Sequence, residues 1–235
     1  MSEHVEVDFL HEVGSRIAAA DPLHEVLDRI VNLISDLMQC DSCFVYILEE
    51  EELVLRASQN PHADVVDRLR IRVGQGITGW VSEHRQPVAL ERNACQDPRF
   101  KFFGELPEDC YEAFLSVPIL FRGRAVGVIN VQHRLPHTYT PREIKLISTV
   151  GFLVGAEIES ARLDGEVSQL SDQLATRKLV ERAKGILQRD LGLTEEQSYL
   201  ALQRQSRQTR KPMKEVAEAI ILAAQVKRNH QDRAM

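Results

Sequence analysis

Residues 21–40, DPLHEVLDRIVNLISDLMQC, carry their apolar side chains with a helical period. Leu23, Val26, Leu27, Ile30, Ile34 and Leu37 fall on one stripe, as on a helix laid against a core. Asp21 is a good cap, and Pro22 suits the first helical position. The period then changes. SCFVYIL and ELVLRAS are short apolar runs on either side of the acidic run Glu49–Glu51, and they read as the two strands of a hairpin. LRIRVGQG is a strand ending in a glycine turn, GITGWVSEHR a short helix and PVAL a short strand. More than twenty irregular residues follow, ERNACQDPRFKFFGELPEDCYE, a length that in a compact domain usually marks a functional or mobile loop. AFLSVPILFRGRAVGVINVQ is a second hairpin about the turn pair Arg122-Gly123. TPREIKLISTVGFLVGAEIESARL opens a helix, with Thr140 as cap and Pro141 in its first turn. Helix, antiparallel strands, long loop, two strands and helix make an α+β domain with helices packed on a sheet.

From residue 156 the pattern thins. Ala156, Leu163, Val167, Leu170 and Leu174 recur at spacings of 7, 4, 3 and 4 among polar residues. This suits a two-stranded coiled coil continuing the last helix, or a helix lying on its own domain. No proline lies between Pro141 and Pro212, so one helix can run far. The tail divides into three helical pieces. The first stops near Gly192, Thr194-x-x-Gln197 forms a capping box for the second, and Pro212 opens the third. Val180, Ala183 and Leu187 face inward on the first, so the buried face turns by about 100° on leaving the heptad seam. Tyr199, Leu202 and Ser206 point one way on the second. Met213, Val216, Ala217, Ile220 and Ala224 make the stripe of the third. A small three-helix bundle results.

Charge alters this picture. The chain of 235 residues has a net charge of −6. From Asp172 to Met235 there are 13 Lys and Arg against 8 Asp and Glu, whereas residues 1–171 hold 16 against 27. A basic tail on an acidic body suits a nucleic-acid or other anionic partner, or simply a solvated helical surface. The N-terminus MSEHVEVDF lacks the apolar stretch of a signal peptide, and no apolar run approaches a membrane span. A cytoplasmic protein with reduced thiols and no membrane partner is expected.

Within the tail, LVERAKGILQRDLG places Gly185 inside a helix, where glycine costs about 1 kcal/mol relative to alanine. Lys178, Arg182, Gly185 and Arg189 lie in one row, with Lys184 beside it. The row is basic, with bare backbone at its centre where a phosphate or an unstacked base can approach closely. Alternatively, Gly185 lets a bundle helix pack closely. Tyr199 can stack on a base or belong to the core with Leu202. Arg207, Arg210 and Lys211 in SRQTRK form a second basic cluster along a possible phosphate path.

Two resemblances emerge. On RVGQGITGWVSEHRQPVAL, DPRF and SVPILFRGRAVGVINVQ, residues 20–163 resemble a GAF domain. On LATRKLVERAKGIL and GLTEEQSYLALQRQSRQTRKPMKEVAEAII, residues 172–226 resemble an ANTAR domain, whose pattern falls on Arg177, Glu181, Ala183, Lys184, Gly185, Leu187, Gly192, Tyr199, Leu202, Arg210, Val216 and Ala217. Ser198 departs from the family's usual alanine, and Ser206-Arg207 from its usual small or apolar pair. The implied architecture is a GAF-type antiparallel sheet with flanking helices, joined by a long coiled-coil helix to a three-helix all-α ANTAR bundle. Its parts are an N-terminal helical segment (1–19), the sensory domain (20–163), a linker helix (156–176), the ANTAR domain (172–226) and a tail (227–235).

The resemblance implies a signal-responsive transcription antiterminator that binds hairpin RNA in nascent transcripts through Arg177, Lys178, Arg182, Lys184, Gly185, Arg189, Tyr199, Arg207, Arg210 and Lys211. A homodimer through Leu163, Val167, Leu170 and Leu174 is expected. A GAF pocket lies between sheet and loop, here with Trp80, Asn93, Cys95, Asp97, Arg99, Phe100, Phe102, Cys110 and Tyr111. Such aromatics either hold a small molecule or close the core beneath the loop. The ligand is not legible, and no cofactor is assigned. Cys40 and Cys43 form a C-x-x-C across a helix end and a strand start, where buried cysteine is ordinary. With Cys95 and Cys110 they make four thiolates, enough for a zinc or iron–sulfur site, but nothing in their spacing favours one; a haem ligand among His84, His133 and His137 stays open as an alternative. No nucleotide-binding glycine loop, Ser/His/Asp set or kinase motif is present, so a regulator and not an enzyme is expected. The alternatives are a GAF-type free-methionine sulfoxide reductase using loop cysteines, and a protein-interaction regulator without RNA.

Overall fold

The computed structural model describes residues 3–19, 21–59, 65–101 and 111–232. It divides into two compact units, Met1–Arg162 and Leu163–Met235.

In the first unit, helices α1 (Glu3–Ile17) and α2 (Leu23–Met38) precede strands β1 (Ser42–Glu49), β2 (Glu52–Gln59) and β3 (Arg70–Arg72). Helix α3 (Gly76–His84), β4 (Val88–Leu90), β5 (Ala113–Phe121) and β6 (Arg124–His133) follow, and then α4, a single helix from Pro141 to Leu191. The cap of α2 corrects the expectation. Pro22 itself is the N-cap, with extended ψ, and Asp21 pairs with Arg29 instead. Thr140 caps α4 as expected. Its Oγ1 accepts from Glu143 N at 3.2 Å, and Glu143 Oε2 accepts from Thr140 N at 2.7 Å. The β5–β6 turn has both Arg122 and Gly123 at positive φ, the geometry of a two-residue hairpin.

The six strands form one antiparallel sheet in the order β3-β2-β1-β6-β5-β4. Side chains alternate between its faces. On one face Val45, Ile47, Ile129 and Val131 pack with Val26, Ile30 and Ile34 of α2, Phe9 and Val13 of α1, and Ile147, Val150 and Val154 of α4. On the other face Phe44, Tyr46, Leu55, Phe114 and Val128 meet Ile77 and Val81 of α3. Helix α4 lies directly on β5. A side chain at Gly155 would put its Cβ 2.5 Å from the carbonyl oxygen of Leu120.

In the second unit, the remainder of α4 is joined by α5 (Glu195–Thr209) and α6 (Met213–Asp232). Gly192 takes positive φ after α4, and Thr194 and Gln197 form the reciprocal capping box. The core is small. Ala183, Leu202, Val216, Ala217 and Ile221 are buried, with Leu179, Val180, Ile186 and Leu187 packed against them.

Candidate functional site

Along α4 in the second unit, one face packs and the opposite face does not. Leu163, Val167, Leu170 and Leu174 are 51–65% exposed. At 100° per residue they point about 170° away from the mean direction of Leu179, Val180, Ala183, Ile186 and Leu187. The turn between seam and bundle face is thus larger than the quarter-turn expected, because Leu179 and Ile186 also serve the bundle.

The basic row stands on the flank between these two faces. Lys178, Arg182, Gly185 and Arg189 are all exposed, as is Arg177. Arg189 lies beside Asp190, Nε to Oδ1 at 2.8 Å. A Cβ built at Gly185 would meet nothing within 4 Å. No described residue packs closely on this glycine, and its backbone is open to solvent.

Lys184 does not share that exposure. Its side chain is 9% exposed, with the stem covered and the ammonium set between two carboxylates. Nζ donates to Glu181 Oε1 and Oε2 at 3.0 and 3.1 Å and to Glu195 Oε1 at 2.8 Å. The bonds to Glu195 and then Glu181 hold the lysine above its ordinary pKa, and Lys184 holds the Glu195 carboxyl below its own. Lys184, expected among the RNA contacts, is here bonded to carboxylates. The partner comes from another helix, eleven residues on, and a helical wheel of α4 alone does not show it.

Tyr199 is likewise displaced from its expected company. The inward line of α5 is Ser198, Leu202 and the half-buried Ser206, while Tyr199 is 44% exposed. Ser198 is fully buried, and its hydroxyl donates to the Thr194 carbonyl at 2.8 Å. Arg207 lies in the last turn of α5, and Arg210 caps it in the left-handed conformation, a position where glycine is usual. Lys211 pairs with Glu215 at 3.3 Å. All three side chains are exposed.

In the first unit, the loop-side face of the sheet carries a polar row inside its apolar core. Register places Ser58, Phe44, Asn130, Ser116 and Val88 side by side across five strands. Ser116 Oγ donates to Asn130 Oδ1 at 2.7 Å, and Asn130 Nδ2 donates to Thr78 Oγ1 of α3 at 2.8 Å. Nearby on the same face or on α3, buried Gln132 Oε1, Ser58 Oγ and Ser82 Oγ have no hydrogen-bond partner among the described residues, the condition of groups that await a ligand or water. None of these was among the expected site residues. The available signal was single polar letters at inward-facing positions of apolar strands.

At the rim, Asp97 grips Arg99. Arg99 Nε and Nη2 each donate at 2.8 Å, and the Arg99 backbone N at 2.9 Å. The side-chain bond from Arg99 holds the Asp97 carboxyl below its usual range. Arg99 lies 4.9 Å over the Trp80 ring, which also stacks with His84 at 4.0 Å. Phe100 is partly buried against the loop-side core, and Tyr111 is buried. Asn93 corrects the expectation of a lining residue. It is exposed and left-handed, and its backbone N donates to Glu112 Oε2 at 3.0 Å, so it shapes the turn. Cys95 corrects the expectation of reduced thiols, because it is disulfide-bonded. Phe102, Phe103 and Cys110 lie outside the described residues.

Cys40 and Cys43 are free thiols, and burial pushes both upward in pKa, Cys43 strongly. His133 is fixed between the Met38 carbonyl at 3.2 Å and the Tyr139 hydroxyl at 3.0 Å, and burial lowers its pKa. Among the described residues no group of three or more His, Cys, Asp and Glu is placed to hold a metal ion. No described helix is long and apolar enough to cross a membrane.

A model of the GAF domain matches residues 22–158, and a model of the ANTAR domain matches residues 168–221. The transcriptional regulatory protein PdtaR of Mycobacterium tuberculosis is 45% identical over 76 residues, 32% of this chain and 37% of PdtaR. The chain therefore spans under two fifths of that relative's length. The GAF domain of a phosphoenolpyruvate-protein phosphotransferase from Coxiella burnetii is 28% identical with a TM-score of 0.66, over 70% of this chain and 99% of that one. The free methionine-R-sulfoxide reductase of Neisseria meningitidis, solved with its substrate, has a TM-score of 0.58 over 70% of this chain and 95% of its own, at 16% identity. That likeness is of fold alone.

Proposed function

We infer the function from a family and a surface: the chain belongs to the GAF domain family and carries an ANTAR domain C-terminal to it. In this reading it is a transcription regulator acting as an antiterminator. The ANTAR domain binds hairpin RNA in a nascent transcript, and the GAF domain holds a small-molecule or redox signal that controls the binding. The observation that carries the reading is the exposed row Lys178, Arg182 and Arg189 around a Gly185 backbone that no described residue covers. Arg177, Arg207, Arg210 and Lys211 add phosphate contacts, and the exposed Tyr199 ring stacks on a loop base. The pocket is the loop-side face with Trp80, Asp97, Arg99, Phe100 and Tyr111 at its rim and the Ser116–Asn130–Thr78 network in its floor.

Two copies pair in parallel through Leu163, Val167, Leu170 and Leu174, whose exposure suits burial against a second chain. The linker helix, residues 156–176, couples signal to RNA by a change in that pairing. A ligand acts at a distance only through an element with two arrangements. Inserting one residue between Gly165 and Leu174 rotates the downstream helix by about 100° and uncouples regulation, whereas inserting seven preserves it. Equal, normal regulation by both insertions would make the helix a passive tether.

The test of the RNA reading is affinity of the full chain for a synthetic RNA of two short stem-loops as salt rises. Arg182→Ala and Lys178→Ala each weaken binding and each lower the salt slope by about one, with helical circular dichroism intact. Unchanged affinity in the folded variants removes the row from the RNA surface.

A second reading rests on the disulfide-bonded Cys95. A reductase reduces free methionine sulfoxide to methionine and water while two cysteine thiols become a disulfide, which thioredoxin re-reduces. Turnover of free methionine sulfoxide with thioredoxin, lost in Cys95→Ser, would establish it. RNA regulation that persists in Cys95→Ser, without turnover by the wild type, leaves the regulator.

A further inference from the structure

The ammonium of Lys184 has three hydrogens to donate, and three carboxylate oxygens receive them: both of Glu181 and Oε1 of Glu195, at 2.8–3.1 Å. No donor is left for a phosphate. The cluster of one ammonium and two carboxylates carries a net charge of −1. Glu181 and Glu195 are 57% and 74% exposed, so an approaching nucleic acid meets their negative charge rather than the lysine. A lysine inside the basic stretch of α4 is thus masked, while Arg182 and Lys178 nearby are open.

The clamp also joins two helices at a particular place. Lys184 precedes the uncovered Gly185. Glu195 lies in the first turn of α5, where a carboxylate suits the helix dipole. It stands four residues before Tyr199, on the same side of that helix. Holding Glu195 therefore sets how the α5 face bearing Tyr199 stands beside the bare strip of α4.

We propose that Lys184 is a positioning residue that spaces α5 from α4 to fit an RNA stem-loop, and that it is not itself a phosphate contact. This rests on the RNA reading above. Phosphate contacts come from Lys178, Arg182 and Arg189, and the Lys184–Glu195 pair fixes the shape of the surface they meet.

The experiment compares the full-length chain with Lys184→Gln, Lys184→Arg, Glu195→Ala and Arg182→Gln, binding the same two-stem-loop RNA over a range of salt. Lys184→Gln weakens binding about fivefold to tenfold, the scale of losing one ordinary hydrogen bond, with the salt slope unchanged. Lys184→Arg restores binding. Glu195→Ala weakens it as well, although removing a negative charge would by electrostatics alone tighten an RNA complex. Arg182→Gln lowers the slope by about one. A slope that falls by about one in Lys184→Gln, or tighter binding by Glu195→Ala, overturns the proposal while leaving the RNA reading in place. Should Lys184→Gln lose its helical circular dichroism, the Arg182→Gln, Lys184→Arg and Glu195→Ala measurements still decide. A wild-type chain that does not bind the RNA at any salt overturns the RNA reading and this proposal together.

Discussion

Helix α4 carries Gly155 and Gly185 in two regions that use the missing side chain for opposite ends. At Gly155 the helix lies on the sheet, and a methyl group would strike the Leu120 carbonyl oxygen at 2.5 Å. At Gly185 a methyl group would touch none of the described residues. The first glycine is explained by packing, whereas no described residue packs against the second. The same contrast holds for the two units. The first encloses apolar residues on both faces of a six-stranded sheet. Among the described residues the second buries five hydrophobic ones, two of them alanines, and leaves Leu163, Val167, Leu170 and Leu174 exposed. Small cores of this kind are marginal without added contacts. The first unit closes its core on both sides of a sheet, while the second leaves a line of apolar side chains exposed.

The largest expected effect tests that difference in margin. Leu202→Ala removes a fully buried side chain from the small bundle. At about 2–5 kcal/mol for such a truncation, it unfolds the second unit and lowers helical circular dichroism. The calorimetric transition of the first unit stays in place. A single, jointly shifted transition for both units would break the contrast.

Next is Gly155→Ala, which forces α4 off β5. Overpacking costs about 1–3 kcal/mol, read as a lower unfolding midpoint of the first unit alone. An unchanged midpoint would mean that the helix and β5 separate at little cost.

Two carboxylates sharpen the comparison under acid. Asp97 and Glu195 both have pKa values lowered by a hydrogen bond from a cation, Arg99 and Lys184 respectively. A lowered folded-state pKa contributes stability above the unfolded-state value, about 3.9 for Asp. That contribution is lost as pH falls through the folded-state value. The Asp97 side chain is 12% exposed and that of Glu195 is 74% exposed, so solvent screens the second pair far more. Asp97→Asn should therefore cost about 1 kcal/mol at neutral pH and flatten the acid limb of the first unit's stability below about pH 4. An acid limb unaltered in Asp97→Asn assigns the acid loss to other carboxylates.

The smallest effect has the opposite sign. Gly185→Ala stabilises the second unit by about 0.5–1 kcal/mol, because alanine favours helix and no neighbour objects, and it weakens RNA binding. Greater stability with undiminished binding would leave this glycine without a role in the RNA surface.

The caps, turns and periodicities were legible because each is written in residues a few positions apart. Thr140 as the cap of α4, Thr194 with Gln197, and the Arg122-Gly123 turn hold in the structure as expected. The cap of α2 was misplaced by one residue, since the Pro22 ring and extended ψ allow it to serve as the cap itself. At the candidate sites the local code reached less far. The basic row was visible on a helical wheel, and so was the oddity of Gly185. The masking of Lys184 was not, because Glu195 is brought to it by the docking of a second helix. The polar floor of Ser116, Asn130 and Thr78 was hidden for the same reason, its members being up to 52 positions apart.

By itself the sequence determined the order of elements, the antiparallel hairpins, the single long helix and the basic surface of its last turns. All arise from propensity, period and charge acting over one or two turns of chain. Only the tertiary structure decided which of two neighbouring basic residues is free, that Ser198 and not Tyr199 lines the α5 interior, and that Gly185 has no neighbour. Each of these depends on where one helix settles against another. A shift of one residue along a helix turns a side chain by about 100°, enough to carry it from solvent into a contact that its own segment does not encode.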